Sequence, residues 1–370
     1  MQKDQPRLLE LISAGVLPES GHSLAELGIL AGATAESDGT VTVTIREALP
    51  RRSPDPRLRA AIEAQLRPQN LVLGKIQTSL ETTARQISED DPVPEVHNVI
   101  LVMSGKGGVG KSTVCANLAV ALSQMGARVG LLDADIYGPS VPTLFGVQSQ
   151  PVSDGEGILP IERFGIKLMS IGFLLEDSRS AVIWRGPMLH GALLQFLKDV
   201  KWGKLDYLLL DLPPGTGDIA LTLSQRIAAN GAVVVTTPQE VALQDVYKAV
   251  AMNNKVGITN LGVIENQSYF VCSACGTQHD IYGSGGGQKV ADMSGAPLLG
   301  QLPMDPLVQK CSDAGTPVVM AVPDSEVSGK YFALAERLAA RVDEENRSAG
   351  ADLVIDRSGG QNRHLPVARP

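Results

Sequence analysis

Strict alternation of apolar and polar residues through Thr40-Val-Thr-Val-Thr-Ile45 predicts a strand with one buried face. Before it, residues 8–30 read as a helix, a loop and a short second helix. After it, Arg57–Leu66 reads as an amphipathic helix and Leu71–Gln77 as a short strand. Together these predict a small α+β domain over residues 1–86, a size able to fold alone. Residues 87–97 are acidic and carry Pro92 and Pro94, the composition of a linker.

The texture changes at Asn98. Apolar runs at Val99–Met103, Val129–Asp133, Tyr207–Asp211, Ala232–Thr236, Leu261–Glu265 and Pro297–Leu302 alternate with helical stretches at Ser112–Gln124, Leu189–Val200, Ile219–Ile227 and Val241–Asn253. Uninterrupted apolar strands are covered on both faces, so residues 98–344 are expected to form an α/β domain with a mainly parallel, doubly wound sheet. Gly157–Ile161 and Gly165–Ile171 read as an inserted hairpin, and 345–370, polar and without apolar period, as a flexible tail.

Charge and composition narrow the function classes. Lys and Arg number 32 against 40 Asp and Glu, a net charge of −8 that argues against nucleic-acid or anionic-membrane binding as the main activity. No stretch approaches the roughly 18 apolar residues of a membrane helix. Met1–Pro6 leads into a polar amphipathic segment, which predicts no signal-peptide region. The four cysteines, Cys115, Cys272, Cys275 and Cys311, are too few for a disulfide scaffold in 370 residues and predict a reducing, cytoplasmic setting.

Gly105-Lys-Gly-Gly-Val-Gly-Lys111-Ser112 fits the phosphate-loop pattern G-x-x-x-x-G-K-[ST] between a predicted strand and a predicted helix. Glycines let backbone N–H groups curl around a phosphate, the helix N-terminus adds its dipole, Lys111 a point charge and Ser112 a hydroxyl for Mg²⁺. An ordinary glycine-rich turn would explain neither the Lys-Ser pair nor the second lysine, Lys106. Three carboxylates end predicted strands: Asp133 and Asp135 in Gly130-Leu-Leu-Asp-Ala-Asp, and Asp211, at the position from which a carboxylate serves Mg²⁺. In Asp211-Leu-Pro-Pro-Gly-Thr-Gly-Asp218, Gly215 and Gly217 permit a nucleotide-dependent rearrangement.

Cys272-Ser-Ala-Cys275-Gly276 has the spacing of a metal knuckle, but a complete site needs about four ligands and there is no second C-x-x-C. A thioredoxin-like redox pair, a partial zinc knuckle with His279 as third ligand, and half of a [4Fe–4S] site completed by a second chain are the three readings. The last supplies the missing ligands by symmetry and is preferred. Cys115, one turn into the predicted helix, is expected as a core thiol, and Cys311 is unassigned.

With its early lysine, the phosphate loop resembles that of the ATPases grouped with MinD, ParA and the nitrogenase iron protein. The set Ser104–Thr113, Leu132-Asp-Ala-Asp-Ile-Tyr-Gly-Pro-Ser140, Trp184-Arg-Gly-Pro-Met188, Asp211–Asp218, Thr236-Thr-Pro-Gln239, Phe270-x-Cys-x-x-Cys-Gly276 and Gly283-Ser-Gly-Gly-Gly287 resembles the Mrp/ApbC iron–sulfur cluster carriers over roughly residues 98–320. The resemblance implies a homodimeric P-loop ATPase of slow turnover. Such a protein binds a labile [4Fe–4S] cluster between two chains and passes it to apo-proteins, with cluster assembly scaffolds as further partners.

It further implies that ATP phosphates lie on Gly105, Lys106, Gly107, Gly108, Val109, Gly110, Lys111, Ser112 and Thr113. Lys106 would reach the partner's nucleotide, Asp135 would orient the attacking water, and Ser112, Asp133 and Asp211 would serve Mg²⁺. Asn266 and Pro238 would lie by the adenine, and Cys272 and Cys275 would hold the cluster. The first domain resembles the accessory domain of such carriers, but Arg46–Pro54 lacks the cysteine usual there, and Ser273 stands where proline is common. The rival readings are a MinD- or ParA-like positioning or partition ATPase, an electron-transfer ATPase, and a zinc-bridged adaptor.

Overall fold

The computed structural model describes residues 5–17, 21–135, 138–174, 186–215, 223 and 226–350. It comprises two compact units, divided between Thr82 and Thr83. The first contains α1 (Gln5–Ser13), β1 (Leu30–Ala35), β2 (Thr40–Glu47), α2 (Pro56–Leu66) and β3 (Val72–Leu80). Its sheet has the order β1-β2-β3, with β1 antiparallel and β3 parallel to β2. The alternation in β2 turns Val41, Val43 and Ile45 into a core with Ile12, Leu24, Leu58, Ile62 and Leu66. Asp55 starts α2 by accepting the Arg57 N–H at 2.9 Å, and Pro56 occupies the first turn. The second short helix expected before residue 30 is not formed among the described residues: residues 24–28 form turns and β1 follows. Leu30-Ala-Gly-Ala-Thr-Ala35 has small side chains and no alternation, so pairing with β2 decides its conformation.

The second unit runs through β4 (Val96–Ser104), α3 (Lys111–Gln124), β5 (Val129–Asp133), α4 (Val141–Leu144), β6 (Ile161–Arg163), β7 (Ile166–Ser170), α5 (Gly186–Asp199), β8 (Leu205–Asp211) and β9 (Gly231–Thr236). It continues with α6 (Glu240–Val256), β10 (Asn260–Glu265), β11 (Phe270–Val271), β12 (Gln278–His279), α7 (Gly286–Ser294), β13 (Leu298–Gln301), α8 (Pro306–Asp313), α9 (Val318–Ala321) and α10 (Glu326–Ser348). Its sheet has the order β13-β10-β9-β4-β8-β5-β7-β6, parallel except for the edge strand β6. This is the expected mainly parallel α/β architecture. The strands β4, β5, β8, β9 and β10 are buried along nearly their whole length, which explains their unbroken apolar runs. Their carboxyl ends bring Ser104, Asp133, Asp211, Thr236 and Glu265 to one edge, where open α/β sheets bind ligands.

The inserted hairpin begins later than expected: β6 and β7 turn through Phe164 and Gly165, both at positive φ, and β7 pairs with β5. Residues 87–97, expected as a linker, differ from that expectation. Ile87, Asp91, Val93 and Val96 are buried, and Arg85 forms a two-pronged ion pair with Asp91 inside the second unit. The acidic residues and prolines concealed a segment whose central charge is paired and removed from water. The helix expected at Ile219–Ile227 lies largely outside the described residues. Of the expected tail, α10 extends through Ser348, and 351–370 lie outside the described residues.

Candidate functional site

The phosphate loop leaves β4 at Ser104 and enters α3 at Lys111. Gly110 is constrained by its backbone: its φ is +80°, and a Cβ there would lie 2.3 Å from Asn266 Nδ2. Gly105 is hemmed in by α6, where a Cβ would lie 2.3 Å from the Val246 nitrogen. Ser104 Oγ donates to the Lys106 carbonyl at 3.0 Å. Gly107 and Gly108 are exposed, and Val109 is buried beneath them. No side chain caps α3, so its first-turn N–H groups are left for an anion, in line with Thr113 and Ser112 at its start. Lys106 is half-buried, and its ammonium has no ion-pair partner among the described residues.

Below the loop, Lys111 Nζ lies 2.5 Å from Asp211 Oδ1 and 3.2 Å from Ser112 Oγ, with Asp211 fully buried. Asp133 stands directly across from Asp211 in the β5–β8 register. Burial, and next the charge of Asp211, push the Asp133 carboxyl up to about 7. Burial also raises Asp211, opposed by the Lys111 cation and the Ser112 hydroxyl. Two buried carboxylates against one ammonium leave an unmet demand for positive charge.

The donor set distinguishes the two aspartates. Asp211 Oδ2 is buried with no hydrogen-bond partner among the described residues, an oxygen suited to a hard cation. Asp133, by contrast, accepts from the Asp135 N–H at 3.1 Å, the Val141 N–H at 3.1 Å and Ser170 Oγ at 2.9 Å. Asp135 is 8% exposed and accepts from the Gly138 N–H at 3.2 Å. Ile136, Tyr137, Gly217, Asp218, Trp184 and Arg185 fall outside the described residues.

On the other side of the loop, Asn266 Nδ2 donates to the Val109 carbonyl at 2.8 Å, so this side chain braces the phosphate loop. Pro238 is buried, and a Cβ on Gly286 would lie 2.8 Å from its Cα, so Gly286 permits a close approach of α7. Thr237 Oγ1 is buried without a hydrogen-bond partner among the described residues.

The thiol pair sits at the tip of the β11–β12 hairpin. Phe270 pairs with His279 and Val271 with Gln278. The turn is closed by Cys272 N–H to Thr277 O at 3.0 Å and Gly276 N–H to Cys272 O at 2.8 Å, with Gly276 at φ +72°. Cys275 is exposed and Cys272 half-buried. The Thr277 hydroxyl, 3.3 Å from Cys275 Sγ, and then the Thr277 N–H hold the Cys275 thiol below its usual value, with Cys272 contributing less. His279 is exposed, and among the described residues no group of three His, Cys, Asp or Glu converges as a metal site. Cys115 and Cys311 are buried, and burial, followed by the Asp211 charge, pushes the Cys115 thiol well up.

Sequence reasoning missed Glu265, Ser170 and Thr277. Glu265 is fully buried at the end of β10 and accepts from Ser268 Oγ, the Gly287 N–H and, at 2.7 Å, Gln301 Nε2. Its signal was a carboxylate closing an apolar run, the same signal that marked Asp133 and Asp211.

A family model described as the ParA-type NUBPL iron-transfer P-loop NTPase matches residues 95–339. The iron–sulfur cluster carrier protein of Aquifex aeolicus is 53% identical over 253 residues, 68% of this chain and 70% of that protein. The iron–sulfur cluster carrier protein of Deinococcus radiodurans is 43% identical over 340 residues, 90% of this chain and 95% of that protein. Among solved structures, a nucleotide-binding protein from Archaeoglobus fulgidus in complex with ADP is 44% identical, with TM-score 0.53, over 60% of this chain and 87% of that one.

Proposed function

The chain belongs to the iron–sulfur cluster carrier family of P-loop NTPases, and on that premise we propose that it binds and slowly hydrolyses ATP while holding a [4Fe–4S] cluster between two copies of itself for transfer to apo-proteins. The observation that carries this reading is the state of the thiol pair. Cys272 and Cys275 lie at a hairpin tip, Cys275 exposed with its thiol held below its usual value, and no third ligand joins them among the described residues. Two thiolates are half of a four-thiolate site, and twofold symmetry supplies the rest.

In the nucleotide site, the N–H groups of Gly105–Thr113 and the Lys111 ammonium hold the phosphates. Ser112 and Asp211 Oδ2, an oxygen with no hydrogen-bond partner among the described residues, would hold Mg²⁺, which would supply charge neutralisation at the phosphates. Asp133 serves that site as an anchor, because both of its oxygens already accept hydrogen bonds from Asp135, Val141 and Ser170. Asp135 orients the attacking water, and Lys106, with no ion-pair partner among the described residues, brings its ammonium to the partner's nucleotide. Asn266 and Pro238 border the adenine.

The test is anaerobic reconstitution with iron and sulfide, read by absorbance, metal content and activation of an apo-enzyme, with Cys272→Ala and Cys275→Ala alongside. The expected result is about four iron per dimer, lost in both variants, with transfer that changes between ATP, ADP and no nucleotide. Zinc at one per dimer with no transferable cluster overturns the carrier reading and favours a zinc-bridged adaptor.

A further inference from the structure

Between the phosphate loop and the thiol hairpin runs one short, tightly tied stretch of chain. Asn266 follows β10. Its side chain donates to Val109 O in the phosphate loop, and its N–H donates to Thr236 O at 2.8 Å. Gln267 then takes φ +53°, a left-handed conformation uncommon for a residue with a Cβ. Ser268 is pinned twice, by its Oγ on Glu265 and by its N–H on Leu302 O at 2.9 Å. Tyr269 O accepts the Met304 N–H at 2.7 Å, and the Lys330 ammonium lies 5.8 Å from the centre of its ring. β11 begins at the next residue, and Cys272 follows it.

The backbone from Asn266 to Tyr269 is therefore held at every residue but one, and that one sits in a strained turn. Glu265 ties the same stretch to the Gly287 N–H at the start of α7 and to Gln301. A shift at Val109 reaches this stretch directly, because the Asn266 side chain is bonded to the Val109 carbonyl and its backbone is fixed to Thr236.

We propose that Asn266–Tyr269 is a rigid lever that makes the exposure and geometry of the Cys272–Cys275 pair depend on the occupancy of the phosphate loop, with Asn266 and Ser268 as its positioning residues. This rests on the carrier reading for its purpose but not for its test. The lever couples two sites in one chain, so a nucleotide bound at one end alters the thiols at the other.

The experiment uses the full-length, cluster-free protein. Alkylation of Cys272 and Cys275 by iodoacetamide is followed by peptide mass spectrometry, with and without saturating Mg-ADP or a non-hydrolysable ATP analogue. Cys115 and Cys311 are buried, so they serve as internal controls for unfolding. In the wild type, nucleotide is expected to change the alkylation rate of the pair by about fivefold or more. Asn266→Ala and Ser268→Ala are expected to reduce that ratio toward one, each measured at a nucleotide concentration shown to saturate that variant. A merely structural role would alter the rates with and without nucleotide alike and leave their ratio intact.

An unchanged ratio in both variants, or a wild type whose thiols do not respond to nucleotide, overturns the lever. Iron binding is measured separately on the same preparations. Failure of iron binding with an intact thiol response counts against the carrier reading alone, and the reverse outcome counts against the lever alone.

Discussion

At Lys111 and Asp211, one ion pair does two jobs whose energetic demands conflict. Both side chains are almost wholly out of water, so removing the cation leaves two buried carboxylates, Asp211 and the opposing Asp133, without compensation. Breaking such a pair typically costs about 3–5 kcal/mol. In nucleotide-free protein, Lys111→Met is expected to lower the unfolding free energy read from urea denaturation by an amount of that order, and adding Asp211→Asn should restore part of the loss. A Lys111→Met variant as stable as the wild type would contradict the buried pairing.

Asp133 supplies a pH dependence of its own. Its carboxyl is raised from an ordinary 3.8 to about 7 in the folded chain, so between those values the folded state binds more protons than the unfolded state. Stability from this group is therefore present at low pH and is lost as pH climbs through that interval. The melting temperature of the wild type relative to Asp133→Asn, in chelated and nucleotide-free buffer, should fall from about pH 5 to pH 7 and level off above. A difference that rises with pH would contradict the burial-dominated assignment.

Legibility from sequence at this scale followed chemistry that is contiguous in the chain. The phosphate loop and the thiol knuckle are each a single run of residues, and both were readable. The pairing of Asp133 with Asp211, the Ser170 hydroxyl on Asp133 and the donors on Glu265 arise from strand order and register, which composition and spacing do not encode.

Among elements, the buried strands of the second unit were readable because burial on both faces writes an unbroken apolar run. β1 was not, since four of its six residues are alanine or glycine and its partner β2 sets its conformation. The segment 87–97, expected as a linker, was misread for a different reason: the charge of Asp91 is paired internally, with Arg85 just before it. Arg85 donates to both oxygens of Asp91 and to Val93 O at 3.1 Å, while the Val93 N–H returns to Asp91. Thr83 extends the anchorage to Asn98, Asp343 and Asn346, tying the segment to β4 and α10. A solvated linker would tolerate Arg85→Met with a change under about 0.5 kcal/mol. The buried pair instead predicts a loss of about 3–5 kcal/mol, largely recovered in Arg85→Met/Asp91→Leu, where no charge is left unpaired. Chemical denaturation of the three variants distinguishes the two.

At the scale of the whole molecule, the two candidate centres are unequal in completeness. One chain carries the full phosphate-loop pattern, with a lysine, a hydroxyl and a buried carboxylate oxygen that has no hydrogen-bond partner among the described residues. For a metal cluster the same chain offers two thiols at the tip of a short hairpin. If two chains share one cluster, the cluster content depends on pairs of subunits and not on their sum. Mixing equal amounts of wild-type chain and a Cys272→Ala/Cys275→Ala chain, under conditions of free subunit exchange, gives intact four-thiolate sites in about a quarter of the dimers. A cluster held by each chain alone would instead follow the wild-type fraction, about half. Iron bound after reconstitution, plotted against the fraction of wild-type chain, should therefore curve as its square. A straight line would show that two thiols and exogenous ligands suffice, and would remove the reason for assigning the cluster to a subunit interface.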